Sequence, residues 1–349
     1  MNLFDFRDRF LPVSKGNVFE MEGWWVWGSS VVLGDDGKYH MFVSRVPKCL
    51  PFHPGWMIAS EIVRAVSDVP EGPYKFQEVV LKSRGAEYWD GRSAHNPKII
   101  KHGNKYLLYY MGSTHPFEDV ENPIDLTIDS KWCIVGRSNK RIGLAISDSV
   151  LGPWERMDHP ILDTKPQTYY SFLTSNPAPA VDSVGKIYLI FKSRRYVGHR
   201  HGEMSIGLAT APHYSGPYSV VSSEPLFSEN SFGVIEDPFL WIDESGFHLL
   251  AKDQHAKIGG EVGGGVVFHS DDCLNWRTRK DPRAYSKEII WDDGSRRVFG
   301  NMERCSCLFD TKGKISHLYF AIWEGEGGFC NPSVNDRAYN LCIQLRDDS

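Results

Sequence analysis

The stretch WGSSVVLGDDGKYHMFVSR, residues 27–45, decides the fold, because its pattern returns along the chain. The later copies read HNPKIIKHGNKYLLYYMG (95–112), SNPAPAVDSVGKIYLIFKSR (175–194), EDPFLWIDESGFHLLAKD (236–253) and ERCSCLFDTKGKISHLYFA (303–321). Each has an apolar stretch, a turn containing glycine and a second alternating stretch, the pattern of a strand, a tight turn and a strand. A lone hairpin cannot bury its own faces, so a unit recurring every few tens of residues belongs to a repeat architecture. Because the unit is a hairpin, a β-propeller is predicted over a helical solenoid.

The turn glycines Gly37, Gly103, Gly185, Gly246 and Gly313 lie 66, 82, 61 and 67 residues apart. Each interval has room for a four-stranded blade with decorated loops. A second phrase falls between the hairpins: SDVPEGPY from Ser67, SDSVLGPW from Ser147, APHYSGPY from Ala211 and HSDDCLNW from His269. It is read as the turn between the third and outermost strands of blades one to four. Blade five is expected to end with RAYNLCIQL near the C-terminus. The expectation is an all-β, five-bladed β-propeller forming one domain over residues 1–349, with blades starting near 27, 95, 175, 236 and 303.

Composition agrees. Aromatic residues make up 13%, with 11 Trp, and Gly (32) and Pro (20) are plentiful, as suits a turn-rich β protein with an aromatic-lined pocket. The net charge of −5 with interspersed signs argues against a nucleic-acid partner. The basic run RSNKR (137–141) is read as solvated loop charge, whereas KSRRY (192–196) follows an inner strand and could reach a pocket. No apolar stretch is long enough to span a bilayer, so no membrane partner is expected. The charged start MNLFDFRDRF does not read as a signal peptide. Seven scattered cysteines read as reduced thiols. Together these favour a cytoplasmic protein, though a chain stripped of a leader would read the same. Cys305-x-Cys307 reads as core packing and His199-x-His201 lacks an acidic partner, so neither metal nor cofactor is expected.

A propeller usually takes its ligand where the innermost strands open at one end of the axis. One tripeptide recurs at the start of those strands: Trp27-Gly28-Ser29, His95-Asn96-Pro97, Ser175-Asn176-Pro177, Glu236-Asp237-Pro238 and Glu303-Arg304-Cys305. Converging carboxylates, an Arg, a His and amides point either to a ligand site or to an internal hydrogen-bonded plug. Asp90 and Arg92, and the ends of second strands at Arg45, Lys192, Lys252, Asp253 and His255, are expected to share that mouth. Paired carboxylates in an aromatic-rich funnel suit glycoside hydrolysis, where one carboxylic acid protonates the leaving oxygen and the other activates water or attacks the anomeric carbon. Trp24, Trp25, Trp27, Trp56 and Trp89 are candidates to stack on sugar faces or to pack between blades.

On these hairpins, the Ser-Asp…Gly-Pro-Tyr/Trp turns and Glu-Asp-Pro-Phe of blade four, the chain resembles the five-bladed β-propeller glycoside hydrolases of families 32, 43, 62, 68 and 117, over nearly its whole length. The resemblance to family 43 implies Glu236 as general acid. The family's third-blade Asp is here Asn176, and its first-blade catalytic base falls on Trp27 and Gly28. Family 117 uses a His as acid, a part that His95 or His255 could take. The base must then come from elsewhere, with Asp90 first, then Glu22 or Glu303. The leading expectation is an exo-acting glycosidase on a small oligosaccharide of plant or algal origin. Its catalytic residues would be Glu236, Asp90, Asp237 and Glu303; Trp27, Arg45, His95, Asn96, Asn176, Lys252, Asp253, His255 and Arg304 would bind substrate. The bulky segment 114–140, assigned between blades two and three, would wall the pocket. The alternatives are a non-catalytic carbohydrate-binding propeller and a uronate-directed lyase on the same scaffold.

Overall fold

The computed structural model describes residues 6–347 and contains a five-bladed β-propeller. Blade one is β1 (Trp24–Leu33), β2 (Tyr39–Pro47), β3 (Glu61–Ser67) and β4 (Lys75–Leu81). Blade two is β5 (Ser93–His102), β6 (Lys105–Ser113), β7 (Arg141–Ser147) and β8 (Glu155–Arg156). Blade three is β9 (Leu173–Val181), β10 (Ile187–Val197), β11 (Arg200–Ala211) and β12 (Ser219–Val220). Blade four is β13 (Ile235–Asp243), β14 (Gly246–Asp253), β15 (Gly265–Ser270) and β16 (Arg277–Tyr285). A small hairpin, β17 (Glu288–Ile290) and β18 (Arg296–Val298), precedes blade five, which is β19 (Asn301–Phe309), β20 (Ile315–Trp323) and β21 (Ala338–Gln344). Neighbouring strands within each blade are antiparallel.

The five quoted hairpins are the inner pairs of the blades, and the second phrase forms the turn before the fourth strand in blades one to four. In blades one and three the phrase ties itself down: Tyr74 and Tyr218 each donate to the carbonyl four residues back, on Pro70 and Tyr214, both at 2.9 Å. RAYNLCIQL supplies the third strand of blade five. Beside it lies the N-terminal segment, whose Phe10 and Phe19 bridge antiparallel to Leu345 and Asn340. The two ends of the described chain are therefore joined in one blade, a partnership that no local pattern in the sequence announces. The innermost strands touch in the cyclic order β1, β5, β9, β13, β19 and back to β1, which closes the ring.

Apolar clusters fill each gap between blades, for example Phe42, Ile62 and Tyr110 between the first two, and Trp241, Phe320 and Tyr339 between the last two. Inner strands are buried on both faces, while the outer β4 and β16 expose much of theirs. Segment 114–140 is placed differently from the expectation: it connects β6 to β7 within blade two, and carries the short helix α1 (Lys131–Ser138). The reason is the phrase SDSVLGPW, which follows the segment and closes the same blade. No helix among the described residues is long and apolar enough to cross a membrane.

Candidate active site

The recurring tripeptide is a β-bulge repeated in all five blades. The pairing of the two inner strands slips across it in each case, between Trp27 and Ser29, His95 and Lys98, Ser175 and Ala178, Glu236 and Phe239, and Glu303 and Ser306. Its middle residue is left-handed every time: Gly28 (φ 36°), Asn96 (56°), Asn176 (49°), Asp237 (57°) and Arg304 (58°). Gly, Asn and Asp tolerate that region; Arg does not. A bulge sends neighbouring side chains in different directions. The middle residues turn onto the axis, where Asn96 Nδ2 donates to Asn176 Oδ1 (3.0 Å) and Asn176 Nδ2 donates to Asp237 Oδ1 (3.1 Å). Arg304 closes the group through Nη1 on Asp237 Oδ1 (2.7 Å) and its backbone N–H on Oδ2 (3.2 Å). A Cβ on Gly28 would meet Arg304 Cγ at 3.2 Å and Asn96 Oδ1 at 3.4 Å, so the arginine takes the room that blade one leaves. Asn96, Asn176, Asp237 and Arg304 are each at most 5% exposed. They form an internal hydrogen-bonded plug on the axis.

The first tripeptide residues lie above the plug. Lys252 Nζ stands between three carboxylates, 2.8 Å from Glu303 Oε1, 3.1 Å from Glu236 Oε2 and 3.6 Å from Asp237 Oδ2. Burial alone would lower the Lys252 ammonium, but Glu303, Glu236 and Asp237 hold it above its ordinary range. The two glutamates then differ. Glu236 accepts on both oxygens, from Lys192 on Oε1 and from Lys252 and Gln254 on Oε2. Burial would raise its carboxyl, yet the two lysines keep it well below the usual range, so it is ionised. Glu303 takes both of its donors, Lys252 and Asn301 Nδ2 (2.9 Å), on Oε1 alone. Burial, helped by the charges of Asp237 and Glu236, raises its carboxyl despite Lys252. Its Oε2 has no partner among the described residues and can carry a proton. The acid expected at Glu236 is therefore in the ionised state, and the raised carboxyl is Glu303.

His95 is buried, with Nδ1 2.7 Å from Ser60 Oγ and its ring stacked on Trp56 at 5.2 Å. Burial, with Arg304 and Lys140 nearby, keeps the imidazole neutral by pushing it well below its ordinary value. Trp56 Nε1 donates to His53 Nδ1 (3.1 Å), and Lys140 Nζ lies 3.8 Å from the Trp56 ring centre. The reading of RSNKR as solvated charge is corrected here: Lys140 is only 4% exposed, and Arg137 Nη1 bonds His201 Nε2 at 3.0 Å. The segment between β6 and β7 carries these residues inward, a tertiary placement that the local sequence does not encode.

Several expected site residues lie apart from this group. Asp90 is fully buried within blade two, with Oδ1 bonded by Arg84 (2.7 Å) and Oδ2 by Tyr110 (2.7 Å) and Arg156 (3.4 Å), so its carboxylate is committed to holding the blade. Arg45 is paired with Glu61 and stacked 3.8 Å over Trp24. Asp253 accepts from the backbone of Ile258 and Gly259, both at 2.8 Å, and so anchors the glycine-rich loop. His255 is largely exposed beside Glu229. Trp27 packs on Phe52 and Phe329, and Trp89 stacks on Tyr110. Arg92 reaches out to Asp119. Cys305 and Cys307 are buried core thiols, as expected. A cavity of about 540 Å³ opens at the far end of the axis, lined by Val31, Ala178, Phe239 and Cys307, well below the carboxylates. Lys192 on β10 and Gln254, just past the end of β14, both donate to Glu236, a placement that follows from strand register rather than from local sequence.

With this geometry in hand, comparison with solved structures is informative. The chain superposes on a family 117 glycoside hydrolase of the marine bacterium Zobellia galactanivorans with a TM-score of 0.65, at 16% identity, over 98% of this chain and 91% of that one. It shares the five-bladed fold of the family 43 and family 117 glycoside hydrolases. A family 43 β-xylosidase/α-arabinofuranosidase from a compost metagenome gives 0.59 at 14% identity, covering 97% and 96%. An exo-1,5-α-L-arabinanase from a bovine ruminal metagenome gives 0.55 at 15%, covering 96% of each chain. At such identities the likeness establishes the fold. A scan against protein-family models finds no match, and a search of curated proteins finds none.

Proposed function

We propose that the protein is a glycoside hydrolase that removes a terminal sugar from a small oligosaccharide, with Glu303 as the acid and Glu236 as the ionised carboxylate. The observation that carries this is the asymmetry of the pair: Glu236 is saturated with donors on both oxygens, whereas Glu303 keeps Oε2 free. In this reading Glu303 gives its proton to the glycosidic oxygen as the bond to the anomeric carbon breaks. Glu236 faces the positive charge that develops there; water then bonds to the anomeric carbon and gives its proton to the Glu303 carboxylate, which restores the acid. The glutamate oxygens bonded to Lys252 are at most about 6 Å apart, given their separations of 3.1 and 2.8 Å from its nitrogen, so both carboxyls serve one small site. The fold shared with enzymes described as arabinanase and xylosidase supports the same reaction class.

A second reading is a sugar-binding propeller without turnover. It is favoured by the pairing of Glu236, Asp237 and Glu303 with Lys192, Lys252 and Arg304. One experiment separates the two. Wild type, Glu303→Gln and Glu236→Gln are incubated with oligosaccharides ending in arabinose, xylose, galactose, anhydrogalactose or a uronate, and products are read by mass and by NMR of the first-formed anomer. Release of a terminal sugar with retained configuration, lost in both variants, supports the enzyme. Binding without product from any of the three supports the second reading. A product lighter by one water would instead mean elimination.

A further inference from the structure

We propose that the mouth contains an anionic subsite, built by Arg137, Lys140 and Arg194, that receives a carboxylate or sulfate ester carried by the sugar. The charges around the plug are matched: Glu236, Asp237 and Glu303 face Lys192, Lys252 and Arg304. Three further cations stand beside them. Lys140 is 4% exposed, and its Nζ rests 3.8 Å from the Trp56 ring centre with no carboxylate partner among the described residues. Among the described residues neither Arg137 nor Arg194 forms an ion pair, although the charges of Glu236 and Glu203 act on Arg194 from a distance. The two arginines meet at His201, where Arg137 Nη1 contacts Nε2 (3.0 Å) and Arg194 Nη1 contacts Nδ1 (3.3 Å), and Arg194 donates a further bond to Gly202 O (2.6 Å).

A surface cation needs no partner because water supplies one. A buried lysine without a counter-ion is another matter, since desolvation opposes its charge. Burial, then Lys192 and Arg137, push the Lys140 ammonium well below its ordinary value. An anion on the substrate would restore that charge and give the two guanidinium groups a charged acceptor in addition to His201 and Gly202. Lys192 links the cluster to Glu236, so an anionic substituent seated there places its sugar ring next to the proposed catalytic pair. This inference rests on the sugar-directed reading for the body of the ligand, and on Lys140 for its charge.

The test is a calorimetric or NMR titration at low salt with methyl galacturonide, methyl glucuronide, galactose 6-sulfate and methyl galactoside. The expectation is that an acidic sugar binds wild type at least about tenfold more tightly than the neutral one, as a charge-assisted hydrogen bond would provide. Lys140→Met should remove most of that preference while leaving the protein folded, because Met fills the same volume without the buried charge. Arg137→Gln, nearer the surface, should weaken it in the same direction. Preference for the uronides over the sulfate marks a planar carboxylate as the natural group, and the reverse marks a sulfate ester. Equal binding of neutral and acidic sugars, no binding of either, or a preference unchanged by both variants overturns the proposal. Turnover is scored separately. Selective binding of acidic sugars without hydrolysis keeps the subsite and removes the glycosidase reading, while hydrolysis of neutral oligosaccharides without selectivity does the opposite.

Discussion

Arg304 closes the axial plug, and its replacement tests whether that plug holds the ring together. Arg304 and Asp237 are 4% and 5% exposed and bond at 2.7 Å, so Arg304→Ala leaves a buried carboxylate without its main partner. Breaking such a pair by removing one member costs about 3–5 kcal/mol. Asn176 still donates to Asp237 at 3.1 Å and Lys252 stays 3.6 Å away, which favours the lower end. The backbone adds a second term. Arg304 sits at φ 58°, a conformation that costs a non-glycine residue about 1–2 kcal/mol. Alanine keeps that strain and glycine releases it, so Arg304→Gly should lose only about 2 kcal/mol. Unfolding entropy of about 2.1 cal/mol/K per residue over 349 residues converts these losses to drops in Tm of roughly 4 °C for alanine and 3 °C for glycine. Scanning calorimetry of wild type and both variants at neutral pH reads them directly. A Tm unchanged in both variants, or a glycine variant less stable than the alanine one, would refute the account of the plug.

The same geometry predicts that Gly28→Asp, which would restore an acid where the resemblance puts the base, gains no activity. A side chain there meets Arg304 at 3.2 Å and takes φ 36°, so a loss of about 1–3 kcal/mol is expected by denaturant titration, and a stable, more active variant would contradict it. Hydrolysis should fall as pH rises through the elevated value of Glu303, because the acid is then deprotonated; a profile of kcat/KM whose alkaline limb lies at the ordinary carboxylate value would argue against Glu303 as acid. Burial, with Arg137 and Lys140, lowers His53 to about 4, and burial with Arg92 lowers His115 to about 4. Their folded values lie below the ordinary 6.5, so the unfolded chain binds protons first and stability is full above pH 6.5 and falls toward pH 4. Tm measured at pH 7 and pH 5 should show this drop, and His115→Phe should reduce it; an unchanged slope would assign the acid sensitivity to other groups.

The five blades were legible because a propeller writes its period into the chain. Each hairpin must present alternating apolar residues around a glycine turn, and the third-to-fourth strand connections of blades one to four carry Ser-Asp, Gly-Pro or both. The site was legible as a position but only partly as chemistry. The tripeptide brings these residues together at one end of the axis, yet the bulge divides them: Asp237, Asn176 and Asn96 turn into the plug, while Glu236 and Glu303 gather around Lys252. Position in the tripeptide, not residue type, separates these two fates, and a bulge common to all five blades leaves no contrast within one sequence to reveal it. The protonation states were further out of reach, because they depend on Lys252 reaching three carboxylates from the strand starts of two blades at once.

Asp90 and Lys140 show why reasoning from local composition errs in both directions. Asp90 lies in an aromatic, polar stretch that looks like a pocket rim, but nearby Arg84, together with Tyr110 and Arg156 from later strands of the blade, consumes both its oxygens. Lys140 lies in a run of charges that looks solvated, but the segment before it lays it against Trp56 from another blade. Asp90, with its full set of partners, is a brace, whereas Lys140 is a buried ammonium with no carboxylate beside it among the described residues. Partner count and burial therefore sort the charged residues of this ring into structure and function better than their charge does. By that measure Lys140, with Arg137 and Arg194, is where the proposed acidic sugar is to be tested first.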